Sequence, residues 1–244
     1  ILLVLMVISI IQPCFVPWIG YFEQIAVADV FVFMDDVYYT KKDWRNGNQL
    51  KSQYGVKKVS VPVSKTKRDT LIKDVSISYA SQWEQTLLNQ ITEWYKKAPY
   101  FEEIMNLIEP VINAKHAMLV DLNLHLNNEI LNYLEINTPI YFSSKIERKS
   151  SDKISRIIEI CKNFEEVDTL YDGKKTEDFL SADVMRMEGI EVVFQDYKHT
   201  EYKQLWGDFI PYMSIIDLLM NCGKEAKKYV INDGVINKLI KKYK

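Results

Sequence analysis

An unbroken apolar run from Ile1 to Ile11 opens the chain and stops abruptly at Gln12-Pro13. Near-continuous Val, Ile and Leu is what a strand covered by helices on both faces requires, so the run predicts an interior strand of a parallel sheet. Trp18, Phe22, Ile25 and Ala26 then recur at helical spacing, and Val30 to Met34 forms a second apolar run, completing a β-α-β opening. From Asp35 to about Val63 polar and aromatic residues dominate, with Gly47 and Gly55 as turn points. Val59 to Val63 and Leu71 to Ile77 read as strands of a small antiparallel excursion.

The middle of the chain carries helical periodicity. Ser81-Gln82-Trp83-Glu84 has the form of a capping box, and Trp83, Leu87, Leu88, Ile91, Trp94 and Tyr95 share one face after it. Ala98-Pro99 ends this helix, with Pro99 as the first helical position of the next, which turns Ile104, Leu107, Ile108, Val111 and Ile112 inward. A third helix follows through Leu119, Leu122, Leu126, Ile130 and Leu134. Alternation then returns. Strands are predicted at Pro139 to Phe142, Val167 to Tyr171 and Ile190 to Gln195, with a helix face of Ile154, Ile157, Ile158 and Cys161 between the first two and a late helix opened by a second capping-box pattern, Ser214 to Asp217. No repeat, low-complexity tract or Gly-rich linker divides the chain. The pattern predicts a single α/β domain over residues 1–244: a mostly parallel, Rossmann-like sheet with an antiparallel excursion and a helical insertion at about 81–136.

Charge narrows the partners. Thirty-one basic residues against 33 acidic ones leave no electrostatic footprint for a phosphate backbone, so nucleic acid is not an expected partner. The cations Lys238, Lys241, Lys242 and Lys244 suit the end of a solvated last helix. Cys14, Cys161 and Cys222 are odd in number and lack C-x-x-C spacing, which argues against a disulfide framework or a zinc site and fits a reducing cytoplasm. The first apolar run lacks a basic n-region and is too short to span a bilayer, so no membrane span is expected.

If the strands are parallel, their carboxyl ends share one edge, where open α/β sheets bind ligands. Gln12 follows the first strand, Asp35-Asp36 the second, Ser143-Ser144 the third, Asp172-Gly173 the fourth and Gln195-Asp196 the fifth. Adjacent aspartates at a strand end point oppositely, so one of the doublet is expected to face the cleft as general base while the other holds a hydroxyl. The helix opening at Pro17-Trp18 offers free N–H groups to a phosphate. His199 has the titration range of a proton-transfer residue, whereas His116 and His125 read as helix-surface residues. Cys222 reads as buried at a helix end rather than as an acyl-carrying nucleophile, and Asp217 as a helix cap. Walker, G-x-G-x-x-G, H-E-x-x-H and G-x-S-x-G motifs are absent, so motifs alone name neither reaction nor cofactor.

The stretch from Gln12-Pro13-Cys14-Phe15-Val16-Pro17-Trp18-Ile19-Gly20-Tyr21-Phe22 through Asp35-Asp36-Val37-Tyr38-Tyr39 to Lys41, Trp44, Asn46 and Asn48 resembles the N-terminal signature of the WbqC-like family. Val61-Pro62-Val63, Ala98-Pro99-Tyr100-Phe101, Tyr202-Lys203-Gln204, the run from Phe209 to Asp217, and Asn221-Cys222-Gly223 follow in family order. Two departures stand out. The family's Asn-Arg-Asn appears as Asn46-Gly47-Asn48, with Arg45 nearby but out of register, and Thr169-Leu170-Tyr171-Asp172-Gly173 is one residue shorter than the family's turn and lacks its histidine.

The resemblance implies a setting in O-antigen and capsule synthesis, and a small-molecule substrate in the form of a nucleotide-linked amino sugar that receives an acyl or aminoacyl group. A nucleotidyltransferase or ATP-dependent ligase is the second reading, although Trp18 and Tyr21 stand where the H-x-G-H motif of nucleotidyltransferases has histidines. A non-catalytic sugar-nucleotide-binding protein is the third. The expected catalytic residues are Asp36, Asp35 and His199. The expected substrate-binding residues are Gln12, Trp18, Tyr21, Tyr39, Lys41, Trp44, Asn46, Asn48, Gln204 and Asn221.

Overall fold

The computed structural model describes residues 6–231; Ile1 to Leu5 of the first apolar run and the basic cluster Lys238 to Lys244 lie outside them. In chain order the elements are β1 (Met6–Ile11), α1 (Ile19–Val27), β2 (Val30–Phe33), β3 (Gly47–Ser52), β4 (Gly55–Ser60), α2 (Trp83–Tyr95), α3 (Phe101–Asn113), α4 (Leu119–Tyr133), β5 (Ile140–Phe142), α5 (Lys153–Lys162), β6 (Val167–Asp172), α6 (Ala182–Met187), β7 (Glu191–Phe194), α7 (Ile215–Cys222) and α8 (Lys227–Val230). Five strands form one sheet in the order β5-β2-β1-β6-β7, and every pairing within it is parallel. The parallel strands taken alone run 3-2-1-4-5, the Rossmann-like order, so the winding reverses between β1 and β6.

Alternation along the strands explains the layers. Ile8, Ile10, Val30, Val32 and Leu170 point to one face and pack with Ile157, Ile160 and Cys161 of α5 and Met185 of α6. Phe31 and Phe33 point to the other, joining Phe22 and Ile25 of α1 and the larger core built with α2, α3, α4 and α7. β1 is therefore covered on both faces, as its unbroken apolar run predicts.

An antiparallel excursion is present, but as a hairpin of β3 and β4 rather than of the predicted strands: β4 ends at Ser60, and of Val61 to Val63 only Val63 makes an isolated bridge, to Ile77. Leu71 to Ile77 is not a strand. A 3-10 turn at Ile72–Asp74 interrupts it, and Leu71, Ser76 and Ile77 make only isolated bridges to Tyr38, Met118 and Val63. Ile72 and Val75 are fully buried, so the apolar spacing reflects inward anchoring of a coil. The first capping box does not form: Gln82 is the N-cap, and Glu84 instead pairs with Lys115. Pro99 sits in the turn before α3, whose N-cap is Tyr100.

The turn from β1 into α1 is strained and tightly held. Val16 adopts φ +35°, an outlier for a β-branched residue, at a cost of about 1–3 kcal/mol. Asn48 Nδ2 donates to the carbonyls of Phe15 (3.0 Å) and Val16 (2.9 Å), and Ser214 Oγ donates to Val16 at 2.6 Å. Three hydrogen bonds at a net ~1 kcal/mol each offset the strain. Asn48→Ala leaves the Phe15 carbonyl buried without this donor, and the variant is expected to lose about 2–3 kcal/mol in urea denaturation; unchanged stability would show that the turn holds itself.

Candidate functional site

Parallel strands bring the residues that follow them to one edge, but the partners differ from those the sequence suggests. Asp35 and Asp36 do not diverge. Ser143 Oγ, just past β5, lies 3.1 Å from Asp35 Oδ1 and 2.5 Å from Asp36 Oδ1. Ser144 adds its backbone N–H (2.9 Å) and its hydroxyl (2.7 Å) to the Asp35 carboxylate. Asp35 is buried and held by two serines, while Asp36 is gripped by two arginines. Arg148 pairs with Asp36 Oδ2, and Arg156, in the first turn of α5, lies 3.5 Å from Asp36 Oδ1 and donates to its backbone carbonyl at 3.1 Å. Burial, followed by the neighbouring Arg156 charge, pushes the Arg148 guanidinium below its usual range.

On the other side of the winding reversal, Asp172 ends β6 on the face that α5 covers. Its Oδ1 accepts the Gly173 N–H at 2.6 Å. Burial pushes its carboxyl up to about 7, against the lowering pull of Gly173, Thr176 and Lys153 at the start of α5. The first turn of α5 thus presents Arg156 toward Asp36 and Lys153 toward Asp172. Neither arginine is among the site residues predicted from sequence, because Arg148 stands in a polar stretch that reads as solvated surface and Arg156 on a helix beside its apolar face; the signal for Arg148 is its place after a strand's carboxyl end.

Gln12 does reach the edge, and Arg45 NH2 contacts its side-chain oxygen while Arg45 NH1 pairs with Asp43. Arg45 therefore reaches the same edge as Gln12. A side chain at Gly47 would come within 3.0 Å of the Val59 carbonyl, so the hairpin leaves little room at that position itself. Tyr21 donates to the Gln12 carbonyl at 3.0 Å.

The start of α1 is not open. The Trp18 ring folds over the first turn so closely that a Cβ on Gly20 would lie 2.2 Å from it. Trp18 also packs against Tyr197, His199 and Tyr212, at centroid distances of 5.3, 5.5 and 5.5 Å. His199 lies in this aromatic cluster with both ring nitrogens buried and without a hydrogen-bond partner, and burial lowers its basicity. The expected phosphate seat on α1 is covered by an indole.

Several predicted ligand contacts serve the fold. Asn46 Nδ2 donates to the Val61 carbonyl, and Asn48 holds the β1–α1 turn. Gln204 accepts from Lys51 at 3.0 Å and donates to Ile210 and Asp217. Asn221 accepts from the Leu205 N–H and donates to the Asp217 carbonyl. Asp217 is not a capping carboxylate. Fully buried, it accepts from Tyr95 and Tyr202, both at 2.7 Å, and burial raises its carboxyl despite these donors. Gln195 likewise turns inward, donating to Gly20 O at 2.7 Å and to Glu23. Tyr39 is buried, whereas Lys41 is exposed with its Nζ 3.2 Å from Thr66 O, and Trp44 is 47% exposed.

Burial pushes the Cys222 thiol up to about 11 and the Cys14 and Cys161 thiols to about 12, so none is a ready thiolate at neutral pH. A groove of about 240 Å³ lined by Ser60, Pro62, Ser81, Trp83, Thr86, Leu87 and Gln90 lies between β4 and α2, and none of the predicted site residues lines it. Among the described residues no helix is long and apolar enough to cross a membrane, and no group of three or more His, Cys, Asp or Glu could hold a metal ion.

Asp172 gives this edge a pH signature. Its folded-state value lies above the unfolded value of about 3.9, so its neutral form stabilises the fold at low pH, and that contribution is lost as pH rises through about 7. Asp172→Asn is expected to flatten the wild-type loss of stability between pH 5 and pH 8, by up to about 3 kcal/mol. Parallel denaturation curves for the two proteins at both pH values would contradict the assignment.

A curated protein from Mycobacterium tuberculosis (strain ATCC 25618 / H37Rv), the uncharacterized protein Rv1507c, is 34% identical to this chain over 226 residues, covering 91% of this chain and 96% of its own length. No solved structure matches. The model of the WbqC-like protein family matches residues 12–229, from the glutamine that follows β1 to the last turn of the described fold, and the chain belongs to that family.

Proposed function

We propose that this protein is a cytoplasmic enzyme of surface-polysaccharide biosynthesis that transfers an acyl or aminoacyl group to the amino group of a nucleotide-linked sugar. The observation that carries this reading is the aspartate doublet at the carboxyl edge of a 3-2-1-4-5 sheet, with Asp35 immobilised by Ser143 and Ser144 and Asp36 set between two guanidinium groups. Amide formation requires the amine nitrogen to attack the acyl carbon, the bond to the donor's leaving group to break, and a proton to leave the nitrogen. In this reading Asp36 takes that proton, and Asp35 fixes the loop that carries it. A guanidinium beside the same carboxylate can stabilise the oxyanion formed on attack. Gln12 and the exposed rings of Tyr38 and Trp44 suit a sugar, with hydrogen bonding from the amide and stacking from the aromatics. His199 is available as a second proton carrier only after its aromatic cluster opens.

A nucleotidyltransferase or ligase fits less well, because Trp18 covers the helix start that such chemistry uses for phosphate. Purified protein incubated with nucleotide-linked amino sugars and acyl or aminoacyl donors is expected to yield the amide mass by mass spectrometry, and Asp36→Asn to abolish it with the fold intact by circular dichroism. Pyrophosphate release without amide product would favour the nucleotidyl-transfer reading. Binding without any product would reduce the protein to a sugar-nucleotide carrier.

A further inference from the structure

Arg148 and Arg156 come from different elements, the segment after β5 and the first turn of α5, and both converge on one carboxylate, that of Asp36. Asp36 is the carboxylate that both arginines contact, with the Asp35 and Glu159 charges acting on Arg148 from farther off, and the Arg156 charge still works against that of Arg148, an opposition that a further anion would relieve. A second observation points the same way. The Arg148 side chain is only 10% exposed, and its NH1 group is buried without a hydrogen-bond partner, although guanidinium N–H groups are costly to leave unpaired. Arg156 is 23% exposed, which leaves an approach from solvent. The nearby Glu159 is already engaged, by the Ser150 hydroxyl at 2.7 Å and by the N–H groups of Lys149 and Ser150.

We infer that Arg148 and Arg156 form an anion fork that takes the diphosphate of a nucleotide-linked substrate, with Asp36 as the resident counter-ion that the diphosphate displaces. This rests on the transferase reading and names how its substrate is held. An incoming carboxylate would match Asp36 in charge and geometry and gain little. A diphosphate brings more than one negative charge and enough oxygens to bridge the two guanidinium groups as Asp36 gives way. The exchange has a chemical consequence: once the arginines turn to phosphate, the Asp36 oxygens are released toward the amine they are proposed to deprotonate. Diphosphate binding and base activation become one event, on the edge of the sheet where the winding reverses next door.

Isothermal titration of the full chain with inorganic pyrophosphate and with uridine and cytidine diphosphates tests the fork. Wild type is expected to bind the nucleoside diphosphates at least as well as pyrophosphate, and Arg148→Gln and Arg156→Gln to weaken binding by about tenfold or more. Asp36→Asn is expected to tighten it, a gain that a merely structural role for Asp36 would not produce. Circular dichroism identifies any variant that fails to fold, and Asp36→Asn and the remaining arginine variant keep the test decisive. Binding indifferent to both arginines, or weakened by Asp36→Asn in a folded protein, overturns the fork. Binding of pyrophosphate with nucleoside diphosphates excluded overturns the nucleotide assignment. The fork stands if these results hold while no amide product forms, in which case only the transferase reading fails.

Discussion

The turn that leads from β1 into α1 carries backbone carbonyls with no place in either element, and their burial dictates much of the surrounding structure. Buried carbonyls must be paired. Gln12 is served by Tyr21 at 3.0 Å, Phe15 and Val16 by Asn48, Val16 again by Ser214, and Pro17 by the N–H of Ile215 at 2.8 Å. The Phe15 N–H completes the set by donating to Trp44 at 2.9 Å. The hairpin β3–β4 and the late helix α7 are thereby tied to the same short turn, and Ser214 N–H binds the hairpin directly through Gln49. An unusual φ at Val16 persists because these partners determine the path of the chain on both sides of it.

With the turn fixed, the geometry of the sheet edge follows. β1 lies at the reversal of winding, so connections leave it toward opposite faces, and α5 returns across the β1 face opposite α1. Its first turn arrives where β2 and β6 end, which brings Arg156 to Asp36 and Lys153 near Asp172 although more than a hundred residues separate Asp36 from its arginine partners. The same topology keeps His199 apart in the aromatic cluster over α1. The indole of Trp18 covers the first turn of α1, and the arginines lie on the α5 side of the sheet.

The sheet was legible because a doubly covered strand has little freedom in composition: the runs Ile1 to Ile11 and Val30 to Met34 allow few alternatives, and β1 and β2 fall within them. Leu71 to Ile77 was not, since apolar anchors of a coil can alternate as a strand does. Asp35 and Asp36 stood out as charges directly after an apolar run. Arg148 and Arg156 did not, because the first stands between Glu147 and Lys149 in a charged stretch, the second beside the apolar face of a helix, and only the crossover brings them to the aspartates. The amides of Asn48, Gln204 and Asn221 show a different limit. An amide has the same donors and acceptor whether its partner is a ligand or a buried carbonyl, and here all three bind the protein's own groups. Asp217 was misread for a similar reason, as its place in Ser214 to Asp217 matches a cap while its carboxylate binds two tyrosines across the core.

We propose that the carboxyl edge of the parallel sheet, from Asp36 across β1 to Asp172, is the ligand site. A crystal structure grown with a nucleotide-linked amino sugar tests it most directly. Ligand density is predicted beside Gln12, Asp36 and the first turn of α5. Ligand in the groove between β4 and α2, with the edge unchanged, would contradict the account.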